Sequence, residues 1–197
     1  MKVIDNISTL LKDELIENIK KGSKMTIAAS CFSMYAYKEL KKQLDNIEEL
    51  RFIFTSPTFV KESAKKEKRE FFIPRMDRES GLYGTKFEIK LRNEMTQKAI
   101  AKECADWIKA KVKFHSNVSG DGMIGFVTVD NQTESSAYSP IVGFTTTDIG
   151  CDRGNNAYNM VQCLDTPFAQ QYISLFNNLW NDKSKLEDVT ETVIESI

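Results

Sequence analysis

Apolar residues near the start of the chain recur at intervals of four. Leu11, Leu15 and Ile19 would lie on one face of a helix, and Ser8 precedes them in the position of an N-terminal cap. Gly22 follows where helices often end in a left-handed residue. The pattern therefore predicts a first helix between residues 8 and 22.

Two nearly continuous apolar runs follow, at residues 25–29 and 50–54. Runs of this kind are typical of strands that are buried on both faces of a sheet. Between them Ser33 can cap a second helix, with apolar positions on one side and lysines on the other. The inward positions are Tyr37, Leu40 and Leu44, and the outward positions are Lys38, Lys41 and Lys42. This succession predicts a right-handed crossover between parallel strands.

The middle of the chain predicts another helix, which Thr96 can cap. Its apolar positions share one side and are Ile100, Cys104, Trp107 and Ile108. Residues 112–114 then predict a short strand.

Residues 123–180 predict a second group of elements. Two short apolar runs bounded by turn residues, 123–129 and 140–144, predict hairpin strands. A third run, 158–161, follows a loop at 148–156 that is rich in glycine, aspartate and asparagine. The last segment predicts a helix whose apolar residues all face the strands. These residues are Phe168, Tyr172, Leu175, Phe176 and Leu179.

Residues 183–197 predict the start of one more helix. Ser184 and Glu187 have the spacing of a capping box. The apolar positions of this helix are Leu186, Val189, Val193 and Ile197. The sequence stops without the glycine, proline or basic turn that usually ends a helix. We expect this helix to lead into a downstream region, with the reading frame continuing, and a terminal helix docked on the domain is the alternative.

Composition restricts the classes of function. A chain of 197 residues with 41% apolar and 28% charged residues can form one sizeable core. The net charge is −1, so any nucleic-acid binding must come from a local patch. No apolar run is long enough to span a membrane, no secretory signal precedes the first helix, and no Walker-type phosphate loop occurs. Four dispersed cysteines predict a reduced, cytoplasmic protein without a zinc site.

Residues 61–78 form the most basic stretch, with seven basic residues against four acidic ones and the aromatic pair Phe71 and Phe72. Basic side chains interleaved with aromatic rings suit contacts to a phosphate backbone with some base stacking. A charged helix face exposed to solvent is the alternative. The candidate DNA-binding residues are Lys61, Lys65, Lys66, Lys68, Arg69, Arg75 and Arg78.

Three other features have structural interpretations. The one histidine, His115, lacks the orienting partners of a catalytic histidine and is predicted to lie at a strand end. Residues 120–125 match Gly-x-Gly-x-x-Gly, but strand-like residues follow where a dinucleotide motif needs a helix. We expect Asp148, Asp152 and Arg153 to serve a turn, and a residual phosphate or metal contact is the alternative.

The order of elements over residues 123–180 resembles the C-terminal part of a phospholipase D-like domain. In that family a strand carries His-x-Lys, its hairpin partner ends in Gly-Ser-x-Asn, and a later strand ends in an acidic residue. This chain has Met123 and Gly125 at the histidine and lysine places, Thr146 at the asparagine place and Tyr158 at the acidic place. The resemblance implies an α/β fold, with a mixed β-sheet flanked by helices, and no catalytic residue.

A second resemblance covers nearly the whole chain. Segments 27–33, 50–59, 90–94, 143–146 and 179–183 are similar to the N-terminal phospholipase D-like region of large bacterial helicases of the Swi/Snf type, in helicase superfamily two.

This second resemblance implies a non-catalytic accessory domain at residues 1–182, with a basic insertion at about 61–80. It would contact DNA or position the motor of an ATP-dependent helicase, and the motor would bind ATP and magnesium outside this chain. The implied partners are DNA, the motor and a second copy of the chain, with no membrane. Two alternatives stay open: a degenerate phosphodiesterase or nuclease half, and a dimerisation or protein-interaction module.

Overall fold

The computed structural model describes residues 1–57 and 94–197, and an eight-stranded sheet organises them. The strands are β1 (Lys2–Ile4), β2 (Lys24–Ala29), β3 (Glu49–Phe54), β4 (Val112–Asn117), β5 (Gly125–Asp130), β6 (Ser135–Ile141), β7 (Val161–Leu164) and β8 (Leu186–Asp188). The helices are α1 (Leu11–Asn18), α2 (Met34–Leu44), α3 (Glu94–Lys111), α4 (Thr166–Trp180) and α5 (Thr190–Ser196). The predicted α/β fold, a mixed sheet flanked by helices, is confirmed.

The strand order across the sheet is β1-β7-β6-β5-β2-β3-β4-β8. β2, β3 and β4 run parallel, and the other neighbouring strands pair antiparallel. The predicted parallel crossover through α2 is confirmed, since Ala29 at the end of β2 lies opposite Phe54 at the end of β3.

The larger core lies on one face of the sheet, under α1, α2, α3 and α5. Its centre is aromatic. The Phe52 ring centroid lies 4.8 Å from that of Phe54, 5.3 Å from that of Phe114 and 5.8 Å from that of Phe32. Burying one such side chain contributes about 1.5–3 kcal/mol, so this cluster is a main stabiliser of the parallel strands. The inward residues predicted for α2 and α3 are buried, namely Tyr37, Leu40, Leu44, Ile100, Cys104, Trp107 and Ile108.

Only α4, among the described helices, packs on the opposite face, where Ala28, Ile53 and Phe126 surround Phe176. The predicted stripe of α4 is partly wrong, because Phe168 and Leu175 are 55% and 49% exposed. The buried line runs through Ala169 and Phe176 instead. Two apolar lines lie side by side on this helix, and the small Ala169 lets the helix approach the sheet along the second one.

None of the described helices is long and apolar enough to cross a membrane.

Two strands of the second half begin at other residues than predicted. β6 covers Ser135–Ile141 rather than residues 140–144, and β7 begins at Val161, where the predicted run 158–161 ends. β6 is rich in serine, and partners on β5 and α4 satisfy its first hydroxyl: Ser135 donates to Asp130 and accepts from Gln170. Buried polar groups with such partners are tolerated in a strand, and an apolar pattern cannot reveal them.

The capping box predicted at Ser184 is wrong. Leu186–Asp188 is the edge strand β8, which pairs with β4, and α5 begins only at Thr190. Ser184 donates its hydroxyl to Asp182 instead of capping a helix. Pairing with β8 satisfies main-chain groups of β4 that would otherwise form a sheet edge. It also places Leu186 in the smaller core and Val193 in the larger one, which a single helix stripe would not do.

Two other predicted helix starts are wrong as well. α1 begins at Leu11, whose N–H donates to Asn6 Oδ1 at 2.8 Å, whereas the Ser8 hydroxyl donates to Asp5. Thr96 lies inside α3, which already includes Glu94, a good helix former. Gly22 does have the predicted left-handed conformation, with φ of 84°.

We expect Ser33→Ala to lower the free energy of unfolding by about 1 kcal/mol. The Ser33 hydroxyl oxygen accepts hydrogen bonds from the N–H groups of Tyr35 and Ala36 in the first turn of α2. Ser8→Ala is the matched control, since Ser8 is exposed and caps no helix, and its effect should stay under about 0.5 kcal/mol. Urea unfolding followed by circular dichroism measures both variants. Equal losses would contradict the role of Ser33 as the cap.

Candidate functional site

One edge of the sheet collects the residues that the sequence singled out. The parallel strands β2, β3 and β4 all end there, and we call it the carboxyl edge. β5 begins and β6 ends at the same edge, because Ala28 pairs with Phe126 and Gly125 pairs with Ile141. Open α/β sheets commonly bind their ligands outside the carboxyl ends of parallel strands.

All four positions that the phospholipase D-like resemblance singled out lie in or beside this edge. Met123 precedes β5 and Gly125 begins it, Thr146 lies in the loop after β6, and Tyr158 lies in the loop before β7. Residues 120–124 form a loop that enters β5, so the predicted interpretation of the glycine motif is confirmed.

Gly125 occupies a place where no side chain fits. A Cβ atom there would lie 2.2 Å from the Ile141 carbonyl oxygen and 2.8 Å from the Ala28 carbonyl oxygen. The reason is that β2 and β6 converge just before β5 begins: the Ser30 N–H donates to the Val142 carbonyl across the gap. Position 125 is therefore closed to a cationic side chain in this backbone.

The carboxylates of the 145–152 loop accept hydrogen bonds from the hydroxyl groups of the same loop. Thr146 and Thr147 donate to the two oxygens of Asp152 at 2.7 and 2.6 Å, and Thr145 donates to Asp148 at 2.5 Å. These hydrogen bonds support the expected role of Asp148 and Asp152 in a turn. Among residues 1–57 and 94–197, no group of three or more potential metal ligands lies together.

Two asparagines hold this loop, and sequence reasoning missed both. Asn6, in the left-handed region at φ 53°, donates to the carbonyls of Asp148 and Asn159 at 3.2 and 3.4 Å. Asn159 donates in turn to the Thr147 carbonyl at 3.0 Å. The loops meet because β1 pairs with β7. The local signal was weak, since asparagine is common in every turn.

A cavity of about 220 Å³ lies between the loop that joins β1 to α1 and the loop that precedes β7. Residues of opposite charge and several amides line it, among them Asp5, Asn6, Asp152, Arg153, Asn156 and Tyr158. N–H groups of Thr9 and Ile7, with the Ser8 hydroxyl, hold the pKa of the Asp5 carboxyl far below its usual range. Asp5 is therefore ionised at neutral pH.

His115 lies within β4, three residues after Val112, and not at a strand end as predicted. The strand is longer than the predicted 112–114 because β8 pairs with its second half. The His115 ring stacks on Trp180, with centroids 3.7 Å apart and planes 5° apart, and the Arg51 guanidinium lies 5.6 Å from the Trp180 ring. The histidine thus docks the end of α4 on the sheet.

The basic candidates lie outside the described residues. These are Lys61, Lys65, Lys66, Lys68, Arg69, Arg75 and Arg78, so their role stays a prediction.

Comparison with known proteins gives no relative: no protein-family model and no curated protein matches this sequence. The resemblances to phospholipase D-like domains and to helicase N-terminal regions therefore stay predictions.

We expect the imidazole of His115 to titrate below pH 6.5, because burial lowers its pKa more than the Asp188 carboxylate raises it. The unfolded chain then takes up this proton at higher pH than the folded chain. The contribution to stability is complete above about pH 6.5 and decreases as the pH falls from there towards the folded pKa. Proton NMR can follow the ring directly, since the chain has one histidine.

The control variant is His115→Phe, which keeps an aromatic ring against Trp180 and cannot titrate. Its free energy of unfolding should lose this component of the pH dependence. A midpoint at or above pH 6.5 in the parent chain would show that the ring is not desolvated as the stack implies.

Proposed function

We propose that this chain is a non-catalytic accessory domain of phospholipase D-like type, which contacts DNA beside the motor of an ATP-dependent helicase. The observation that carries the proposal is where the most basic stretch of the sequence joins the fold. It joins at the carboxyl edge, the usual ligand-binding edge of an α/β sheet.

The described residues on either side of the stretch support this placement. The chain leaves the described part after Pro57, three residues beyond the end of β3, and it returns in α3. Because β3 and β4 are parallel, their connection must return the chain to the amino end of β4. α3 makes this return, since its last residue, Lys111, directly precedes Val112 at the start of β4. Pro57, the described residue that precedes the basic stretch, therefore lies at the carboxyl edge.

Charge is distributed unevenly between the two parts of the chain. Residues 58–93 hold 10 of the 27 basic residues and 6 of the 28 acidic residues, which leaves 17 basic and 22 acidic residues in the rest. A chain with a net charge of −1 thus concentrates its positive charge in one segment. Such a local concentration suits the sequence-independent contacts that proteins make with a phosphate backbone.

Three features of the site support binding without turnover. Covalent phosphodiester chemistry needs a nucleophile, a proton donor and cationic groups around the phosphate. Gly125 leaves no room for a side chain, the Thr146 hydroxyl donates to Asp152, and His115 stacks on Trp180. Gly125, Thr146 and His115 are therefore engaged in holding the fold.

A protein-interaction module is the second candidate, and one observation favours it. Phe168 and Leu175 lie seven residues apart on the outer side of α4 and are 55% and 49% exposed. A hydrophobic pair of this kind suits contact with another protein surface. The salt dependence of DNA binding separates the two candidates, since only the first requires it.

We expect the purified chain to hydrolyse no phosphodiester. A generic phosphodiester substrate and single- and double-stranded DNA should show background turnover, equal in the parent chain and in His115→Ala. Turnover that survives repurification and disappears in His115→Ala would contradict the non-catalytic assignment.

DNA binding should be weak, independent of sequence and steeply dependent on salt, because each neutralised phosphate releases counterions. Three or four contacts predict a log–log salt slope of about −3 and dissociation constants on the order of 10⁻⁵ M at physiological salt. Replacing Lys65, Lys66 and Arg69 by glutamate should abolish binding. Fluorescence anisotropy of labelled DNA over a salt series measures this.

The matched control reverses three lysines near the opposite edge of the sheet. Lys20 and Lys21 precede β2, Lys109 lies near the end of α3, and all three are exposed. Their replacement by glutamate changes the net charge by the same amount and should leave most of the binding intact. Parent-like binding by the Lys65, Lys66 and Arg69 variant would show that the basic stretch does not contact DNA.

A further inference from the structure

We infer that the cavity between the β1–α1 loop and the loop before β7 binds one unpaired nucleotide of a DNA strand. The inference rests on the proposed function and deepens it, since it names the ligand that one part of the carboxyl edge would hold. The cavity overlaps the four substituted positions only at Tyr158, since Met123, Gly125 and Thr146 do not line it.

The inner groups of the cavity are held in place by hydrogen bonds. The Asp5 carboxylate accepts from the N–H groups of Ile7, Ser8 and Thr9, and the Asp152 carboxylate accepts from two threonine hydroxyls. Asn6 bonds to both loops through its side chain. A site whose inner groups are fixed in advance loses less entropy on binding a ligand.

The groups at the mouth are different. Arg153, Asn156 and Tyr158 line the cavity and are exposed, and their side chains make no hydrogen bond or ion pair to a described residue. Tyr158 is 78% exposed, which is a large exposed fraction for an aromatic residue. One cation, one amide and one aromatic ring are thus available to a ligand at one opening.

These three groups match two parts of a nucleotide, the base and the phosphate. An exposed aromatic ring stacks on a base, an amide can pair with a base edge as asparagine does with adenine, and a guanidinium binds phosphate. The acidic side chains of Asp5 and Asp152 line the cavity and disfavour a phosphate inside it. The base therefore enters, and the phosphate stays at the mouth beside Arg153.

Size and access restrict the ligand further. A volume of about 220 Å³ is below the roughly 300–1,000 Å³ of pockets for drug-sized ligands, so the cavity suits a group of about the size of one base. A base in a duplex is stacked on both faces and paired at its edge, so it cannot enter without being extruded. The cavity should therefore discriminate in favour of single strands.

The test compares Tyr158→Ala with Tyr158→Phe and Phe168→Ala in the full chain. Phe168 is an exposed aromatic residue on α4 and does not line the cavity. Anisotropy at low salt measures binding to a labelled single-stranded oligonucleotide and to its duplex, and calorimetry measures binding of deoxyadenosine monophosphate and of deoxyadenosine.

Tyr158→Ala should weaken single-strand and mononucleotide binding about fivefold or more, whereas Tyr158→Phe and Phe168→Ala should change it less than about twofold. Duplex binding should not change in any of the three. Arg153→Gln should weaken binding of the monophosphate more than binding of the nucleoside.

The outcomes distinguish the two proposals. Equal effects of Tyr158→Ala on single strands and duplex, or no effect on either, would overturn the cavity inference. The proposed function would still stand if replacing Lys65, Lys66 and Arg69 by glutamate abolishes DNA binding. Mononucleotide binding that depends on Tyr158, in a chain that binds neither oligonucleotide, would overturn the DNA-contacting function and, with it, the DNA strand as the ligand of the cavity. Binding of no probe would overturn both.

Discussion

β2 is the strand on which the rest of this structure depends. It is hydrogen-bonded on both sides, parallel to β3 and antiparallel to β5, and five of its six residues are buried. Ile27 and Ala29 face the larger helical layer, whereas Ala28 faces α4. A shift of register by one residue would move each side chain to the wrong face, so this strand is held in one position. The change of strand direction beside β2 also brings the ends of β2 and β6 and the start of β5 to one edge.

The features of the carboxyl edge follow from that arrangement. β2 and β6 converge so closely that only a glycine fits at position 125. The loop after β6 satisfies its own polar groups, through hydrogen bonds such as that from Thr147 to Asp152. Asn6 and Asn159 connect this loop to the chain after β1. The backbone at Gly125 is closed to a side chain, and the carboxylates of this loop already accept hydrogen bonds, so the edge has a fixed shape. The proposed contacts to DNA use the groups that this network leaves unoccupied.

Spacing alone predicted the β2–α2–β3 crossover, the Ser33 cap and the inward side of α3, because each of these patterns is continuous in sequence and has one solution. It failed where two solutions were equally good or where polar residues were buried. α4 has two adjacent apolar lines, and only the sheet selects the one with Ala169 and Phe176. Ser135 and Ser139 of β6 are acceptable in a strand because groups of β5 accept hydrogen bonds from their hydroxyls, and β8 is a strand because β4 offers an unpaired edge.

The candidate site was determined by the sequence even less completely. The composition and the motifs identified a basic stretch, one histidine without catalytic partners and the substituted positions such as Gly125 and Tyr158. They could not show that Asn6 and Asn159, 153 positions apart, hold one cavity together. That depends on β1 pairing with β7 at the far side of the sheet, which no local pattern encodes. The sequence shows which residue types are present. The strand order decides which of them lie together, because the pairing of distant strands depends on the energy of the whole sheet.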